Sequence, residues 1–236
     1  MTLQAKPELM SRFIDLSHEL KDGMTGPRVR LPDGTLLDGR PLIRPWLTRE
    51  QSAAVLKEQA SFEISEMRFV ASTGTYLDSP YGRYPDGRDI ADLRLDELVL
   101  PGVAFDLRER PPGAAVGPEI LQPGLEVAGA AVLFNFGWDR HWGTEAYRRH
   151  PHISPALADR LVERGARLLA FDTGNADAPD TPAHPVHSSL LAKDVLIAEN
   201  LTGIERLHGL SFRFFVVPVK GRRVSSMPVR AFAEIL

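Results

Sequence analysis

Three runs constrain the fold of this chain more than anything else in it: Ala130-Ala-Val-Leu-Phe-Asn-Phe136, Arg167-Leu-Leu-Ala-Phe-Asp172 and Asp194-Val-Leu-Ile-Ala-Glu199. The first is a continuous apolar run, the mark of a strand buried on both faces. The other two are apolar strands with a carboxylate at the carboxyl end. Between the first two stands the clearest helix. Ser154 caps it, Pro155 takes its first position, Leu157, Leu161 and Val162 form one stripe, and Gly165 ends it. Further strands are expected over 13–17, 102–107, 212–219 and 229–235, with a short helix over 92–98. Strands interleaved with few helices predict an α/β fold with a mixed sheet. No repeat, low-complexity tract or clear linker divides the 236 residues, so one domain over 1–236 is expected.

Composition narrows the function by exclusion. Zero cysteines remove disulfides, thiolate metal sites and cysteine nucleophiles together. A formal net charge of −3 offers no basic patch for nucleic acid. No apolar run approaches the ~20 residues of a membrane helix, and MTLQAKPELMSRF lacks a secretory pattern. The expectation is a cytoplasmic protein with a small-molecule substrate, no nucleic-acid partner and no membrane partner.

Chemistry is expected first in the stretch STGTYLDSPYGRYPDG, residues 72–87. An alternating run (Phe62, Ile64, Met67, Phe69) reads as a strand leading into its Gly-Thr turn, and Pro80, Pro85 and Gly87 forbid regular structure after it. Asp78 is therefore placed on a rigid loop just beyond a strand, where catalytic side chains concentrate. Asp78, Asp172 and Glu199 all stand at or just past apparent strand ends, where ligands of α/β proteins collect. His184 and His187 lie between the last two. Carboxylates with imidazoles suit zinc or manganese. Residues 21–45 read as a long loop or arm, a binding element, lid or subunit contact. Trp46, near its end, either lines a substrate pocket or packs the loop down. Arg83, with Arg88 and Asp86, either binds an anionic substrate or joins a local ion pair. His141, His150 and His152 read as surface residues.

The 72–87 stretch resembles the signature of the cyclase family that includes bacterial kynurenine formamidase, His-x-Gly-Thr-His-x-Asp-x-Pro-x-His. Gly74, Thr75, Asp78 and Pro80 match it, while Ser72, Tyr76 and Gly82 stand where its histidines would be. His187-Ser-Ser-Leu-Leu191 and Glu199-Asn-Leu201 resemble two later family segments. Asp15-Leu-Ser-His18, Gly137-Trp-Asp139, the Phe171–Asp177 turn and Ser226-Met-Pro-Val-Arg-Ala231 resemble others, so the likeness spans nearly the whole chain.

The resemblance implies the swivelling β/α fold of kynurenine formamidase, a mixed sheet or barrel with flanking helices. It also implies a homo-oligomer (dimer or tetramer) and hydrolysis of a small amide, as in tryptophan catabolism. Carried over residue by residue, it leaves Asp78, His187 and Glu199 for one divalent metal, zinc or manganese. Ser72 and Tyr76 are poor ligands for a second, since a phenol ordinarily ionises near 10. With Gly82 at the acid/base position, the candidates to protonate the leaving amine are His184, Tyr76 and Tyr84. Each residue also has a plainer reading: Asp78 and Glu199 as backbone caps, His187 as a half-buried histidine, His184 as a solvated loop residue, Tyr76 as a filler of space. Two other functions fit the same residues. One is a non-catalytic small-molecule binder of the same fold, the other a metal-free acid/base lyase or lactone hydrolase.

Overall fold

In chain order the computed structural model, which describes residues 12–236, begins with β1 (Phe13–Asp15), β2 (Arg28–Arg30), β3 (Leu36–Asp38), β4 (Leu42–Leu47), α1 (Arg49–Val55), β5 (Ile64–Arg68), β6 (Tyr76–Asp78), β7 (Val99–Asp106) and β8 (Ala115–Val116). There follow β9 (Ala131–Asn135), β10 (His152–Ile153), α2 (Pro155–Glu163), β11 (Leu168–Phe171), α3 (Pro185–Ala192), β12 (Leu196–Glu199), β13 (Phe212–Phe215), β14 (Ser226–Pro228) and β15 (Phe232–Ile235). The 1–11 segment, most of the stretch read for a leader, lies outside the described residues.

The three apolar runs become neighbours. β9, β11 and β12 lie parallel at the centre of a nine-stranded sheet, with β7 as a fourth parallel strand; the order is β1-β15-β13-β7-β9-β11-β12-β6-β14. All the flanking pairs are antiparallel. Every residue of β9, β11 and β12 is buried because both faces are covered. Leu133, Ala170 and Ala198 point to one core, Phe134, Phe171 and Ile197 to the other. The second core is sealed by α2 and α3, through Leu157, Leu161, Leu190 and Leu191. The first is wrapped by the sheet itself, since Ile14 of β1, Phe214 of β13 and Leu77 of β6 all enter it. Ser17 bridges to Leu201, and the backbone N–H of Leu16 donates to Ala231, so the sheet curls toward closure as a half-barrel. This is the mixed α/β domain expected.

Several local expectations need correction. Asp78 ends a strand of the main sheet rather than sitting beyond one; Tyr76-Leu-Asp78 is too short for its alternation to be read. Residues 92–98 form single turns of 3-10 helix, Ile90–Asp92 and Leu95–Glu97, instead of a helix. The segment 183–191 holds the unread helix α3, started by Pro185 and buried through Val186, Leu190 and Leu191. His150 is buried, not superficial, because its ring sits under the chain beside the Pro151 carbonyl.

The largest departure is the arm. Residues 21–45 are not loop: β2 and β3 form one hairpin, and β4 begins a second that ends in β5. The 62–69 alternation does give a strand, but β5 pairs only with β4 and stays out of the main sheet. Trp46 is 66% exposed, so it neither lines a pocket nor packs the arm down. Among the described residues no helix is long and apolar enough to cross a membrane.

Candidate metal centre

Strand register explains why two distant carboxylates and one imidazole meet. In the antiparallel β12–β6 pair, Ile197 lies opposite Asp78 and Glu199 opposite Tyr76. Alternate residues share a face, so Tyr76, Asp78 and Glu199 project on the side of Ile197, whose core α3 covers. His187, in the first turn of α3, reaches the same point from above. One ligand atom from each of Asp78, His187 and Glu199 lies within 4.8 Å of the others. His187 Nε2 is 3.2 Å from Glu199 Oε1 and 4.0 Å from Asp78 Oδ2.

Asp177 fixes the imidazole. Its Oδ1 accepts the Val186 N–H at 2.7 Å and its Oδ2 the His187 N–H at 3.1 Å, capping α3 from outside the helix. The same Oδ2 lies 2.7 Å from His187 Nδ1. With the Nδ1 proton held there, Nε2 faces Asp78 and Glu199, the carboxylate–histidine arrangement usual behind a metal ligand. Asp177, His184 and His187 also form a compact group. Asp177 already takes three N–H donors, so this group orients His187 rather than forming a second site. The carboxyl of Asp177 is opposed by its own burial but held below its usual range by these bonds.

The turn before Tyr76 is tied as firmly. Gly74 takes φ +68°, which glycine adopts without strain. Asn200 donates from its side chain to the Gly74 carbonyl at 2.7 Å, and the Thr75 hydroxyl donates back to the Asn200 carbonyl at 2.6 Å. The Gly-Thr step is thus stitched to the residue after Glu199.

Electrostatically the centre is short of positive charge. Burial and the Glu199 carboxylate push Asp78 up to about 8, against the pull of His187. Burial would lower His187, but Glu199, Asp177 and Asp78 outweigh it and raise the imidazole to about 10. Tyr76 donates a short hydrogen bond to Glu199 Oε2. Burial first, then the Glu199 and Asp78 charges, lift its phenol far above the ordinary value, so it stays protonated. Glu199 Oε1 accepts the Ala176 N–H at 3.0 Å. Two carboxylates and one imidazole nitrogen converging at this spacing fit a single divalent cation of the oxygen/nitrogen-preferring kind. The Tyr76 hydroxyl occupies the remaining Glu199 oxygen, which leaves no second set of donors there.

Of the other residues singled out in the sequence, His184 reaches the wall of the site and Arg83 lines it, while Tyr84 and Trp46 do not. A cavity of about 340 Å³ is lined by Asp78, His187, Glu199, Tyr76, Gly82, Arg83, His184 and Ser225, among others. His184 Nδ1 lies 3.3 Å from Asn175 Nδ2 and 3.8 Å from Asp177 Oδ2. Arg83 is spent on structure: it donates to Ser188 Oγ at 3.0 Å and to the Ala183 carbonyl, clamping the start of α3. Tyr84 donates to the Ser188 carbonyl at 2.8 Å and faces a different cavity, so it is no proton donor here. Arg88 pairs with Glu97 and Asp194, and so does not bind substrate.

A larger cleft of about 580 Å³ adjoins the cavity and shares Ser72, Tyr76, Gly174 and Asn175 with it. Its far walls are Trp142, Tyr147 and Arg148 on one side and the 25–28 segment of the arm on the other. Sequence reasoning missed these walls. Trp142 sits in irregular chain and Tyr147 in a short 3-10 helix, Glu145–Arg149, and nothing in their spacing points to a common cleft.

A family model described as "Putative cyclase" matches residues 14–178. Among curated proteins the chain is similar to the kynurenine formamidase of Bacillus cereus, 23% identical over 176 residues, 74% of this chain and 81% of the relative. It is 26% identical over 179 residues to the kynurenine formamidase of Salinibacter ruber, with the same coverage of 74% and 81%. Among solved structures it is similar to isatin hydrolase A from Labrenzia aggregata bound to benzyl benzoate. The TM-score is 0.80 at 20% identity, over 94% of this chain and 93% of that one. A structure described as a potential metal-dependent hydrolase with cyclase activity gives a TM-score of 0.68 at 20% identity, over 94% and 96%. Structural likeness at such identities speaks to the fold alone.

Proposed function

The chain belongs to the "Putative cyclase" family, and from that premise we propose that it is a hydrolase opening the C–N bond of a small amide or lactam. In this reading one divalent cation, zinc or manganese, is held by Asp78, His187 and Glu199. The observation that carries it is the convergence of those three donors within 4.8 Å, with Asp177 orienting the imidazole behind them. The relatives named kynurenine formamidase and isatin hydrolase act, by their names, on bonds of this class.

A divalent cation in this position supplies Lewis-acid polarisation of a carbonyl and acidifies water near neutral pH. The chain's own residues do the rest. Asp177 keeps His187 in one tautomer. The Tyr76 hydroxyl holds one oxygen of Glu199 and, being locked as a donor, gives no proton to a leaving amine. That task falls to His184, which stands on the cavity wall with its side chain 37% exposed and can exchange protons with solvent. Its φ of +45° at the start of α3 is a strained setting for a non-glycine residue, of the kind kept where position matters. The substrate's bulk lies in the adjoining cleft, between Trp142, Tyr147 and the 25–28 segment.

One observation favours a metal-free acid/base centre instead: Asp78 at about 8 and His187 at about 10 form a proton-loaded pair on the same wall. A single experiment separates the two. Chelator-treated protein is assayed on an N-formylated aryl amine, isatin and an aryl lactone, before and after Mn²⁺ or Zn²⁺ is returned. Turnover of an amide or lactam that vanishes on chelation and returns with metal supports the hydrolase. Turnover untouched by chelation, or none with metal bound, contradicts it.

A further inference from the structure

The metal centre opens on two sides. Toward Gly82, Arg83, His184 and Ser225 lies the cavity of about 340 Å³. Toward Trp142, Tyr147 and Arg148 lies the cleft of about 580 Å³. Each is large enough by itself for a small organic ligand. They meet at a neck formed by Ser72, Tyr76, Gly174 and Asn175.

We propose that the two chambers sort the two halves of one substrate, an open-chain aroyl amide with a sizeable polar group on its nitrogen. The inference rests on the hydrolase reading and narrows it. A formamide has a single carbon on its acyl side and would leave one chamber empty. A lactam joins its halves in one ring and cannot send them in opposite directions. Hydrolysis of the open-chain amide adds one water across the C–N bond. The acyl half leaves as a carboxylate and the nitrogen half as an ammonium, with no other co-reactant.

The cleft suits the acyl half. His18 stacks on one face of the Trp142 indole, ring centroids 4.2 Å apart, and Tyr147 meets it edge-on at 5.2 Å. The Tyr147 hydroxyl in turn donates to Asn200 Oδ1 at 2.8 Å. Both rings are thus fixed before a ligand arrives, a rigid wall for a flat acyl group. The cavity suits the nitrogen half. His184, which protonates the leaving amine, stands on its wall, and the Ser225 hydroxyl there makes no hydrogen bond among the described residues. At the neck, Tyr76 is committed to Glu199, and Asn175 to Asp177 and His184. The Ser72 hydroxyl is uncommitted among the described residues and is free to bond an amide held between the chambers.

Glycine at 82 keeps the smaller chamber open. A Cβ there would stand 3.4 Å from Ser225 Cβ, an ordinary contact, and no left-handed φ calls for glycine at this position. A larger side chain would grow into the space between two lining residues without forcing the backbone.

The test pairs turnover with binding, on the full chain supplied with zinc. N-(2-hydroxyethyl)benzamide is compared with benzamide, which lacks the nitrogen substituent, and with N-(2-hydroxyethyl)formamide, which lacks the aryl group. KM for the first is expected to lie about tenfold or more below the other two. Gly82→Leu is expected to erase the advantage over benzamide, and Trp142→Ala the advantage over the formamide. Gly82→Ala, with a smaller effect in the same direction, serves should leucine prevent folding. In the binding arm, benzoate and ethanolamine are added together, and nuclear Overhauser effects between the two probes are expected in wild type and lost in Gly82→Leu and Trp142→Ala. Probes that exclude one another, equal KM values across the three compounds, or effects that survive both variants would overturn the sorting of halves. Both probes seated side by side with no turnover of any compound would instead sink the hydrolase reading and leave the two chambers standing.

Discussion

Glu199 and Tyr76 lie opposite each other in the main sheet with almost no surface in water, whereas Trp46 and Val29, also strand residues, stand mostly in water on the arm. The first region encloses charge. The second exposes hydrocarbon. Each breaks the rule that packing alone would impose, and such breaks gather at working sites. At the centre, enclosure crowds Asp78 and Glu199, and the pair is relieved in metal-free protein only by the protons that Asp78 and His187 hold. On the arm, exposure costs stability until something covers it. The difference teaches that this fold carries two unfinished surfaces of opposite polarity, joined through the 25–28 wall of the cleft.

The sharpest way to break the comparison is Asp78→Asn. Metal-dependent turnover is expected to fall on the order of 10³-fold or more, while the thermal midpoint of metal-free protein does not fall, since a crowded carboxylate is relieved. A large loss of stability in that variant would mean that Asp78 is structural. Next, Phe134→Ala in the fully buried stack with Phe171, 4.9 Å between rings, is expected to cost about 3–5 kcal/mol. Phe62→Ala on the arm, where the ring is exposed, is expected to cost below about 1 kcal/mol. Chemical denaturation of both would expose any hidden packing of the arm.

Asp177→Asn sharpens the account of His187. It is expected to weaken metal affinity about 10- to 100-fold by titration calorimetry, with the helix still formed. The pH dependence comes last. Asp78 is protonated below about 8 and His187 below about 10, and metal must displace those protons. Apparent affinity should therefore fall at least about tenfold per pH unit below 8. Metal-free protein should run the other way. Both groups are raised in the folded state above their unfolded values, ~3.9 and ~6.5, so their contribution is full in acid and is lost as the pH climbs through about 8 and then 10. An affinity flat between pH 6 and 8 would mean that other atoms bind the ion.

Much of the sheet was legible because β9, β11 and β12 are buried on both faces, and two-sided burial writes an uninterrupted apolar run. The carboxylates at the ends of the latter two, Asp172 and Glu199, could be named for the same reason. β6 and β14 were not legible, since three-residue strands carry no period. α3 was hidden by the polar His187-Ser-Ser in its middle, which the site requires and which spoils the helical stripe. The arm misled in another way: Phe62, Ile64, Met67 and Phe69 alternate like a core strand, yet β5 pairs only with β4 and all four side chains are exposed. Tyr84 and Arg83 lie near the right loop in sequence, but their polar ends are turned to Ser188 and Ala183 by contacts across about a hundred residues.

The most direct measurement is elemental analysis of protein purified without chelator, wild type beside Asp78→Ala and His187→Ala. About one zinc or manganese per chain in wild type, and close to none in either variant, is the expected result. A wild type free of metal after incubation with both ions, or variants that keep it, would contradict a centre built on Asp78, His187 and Glu199.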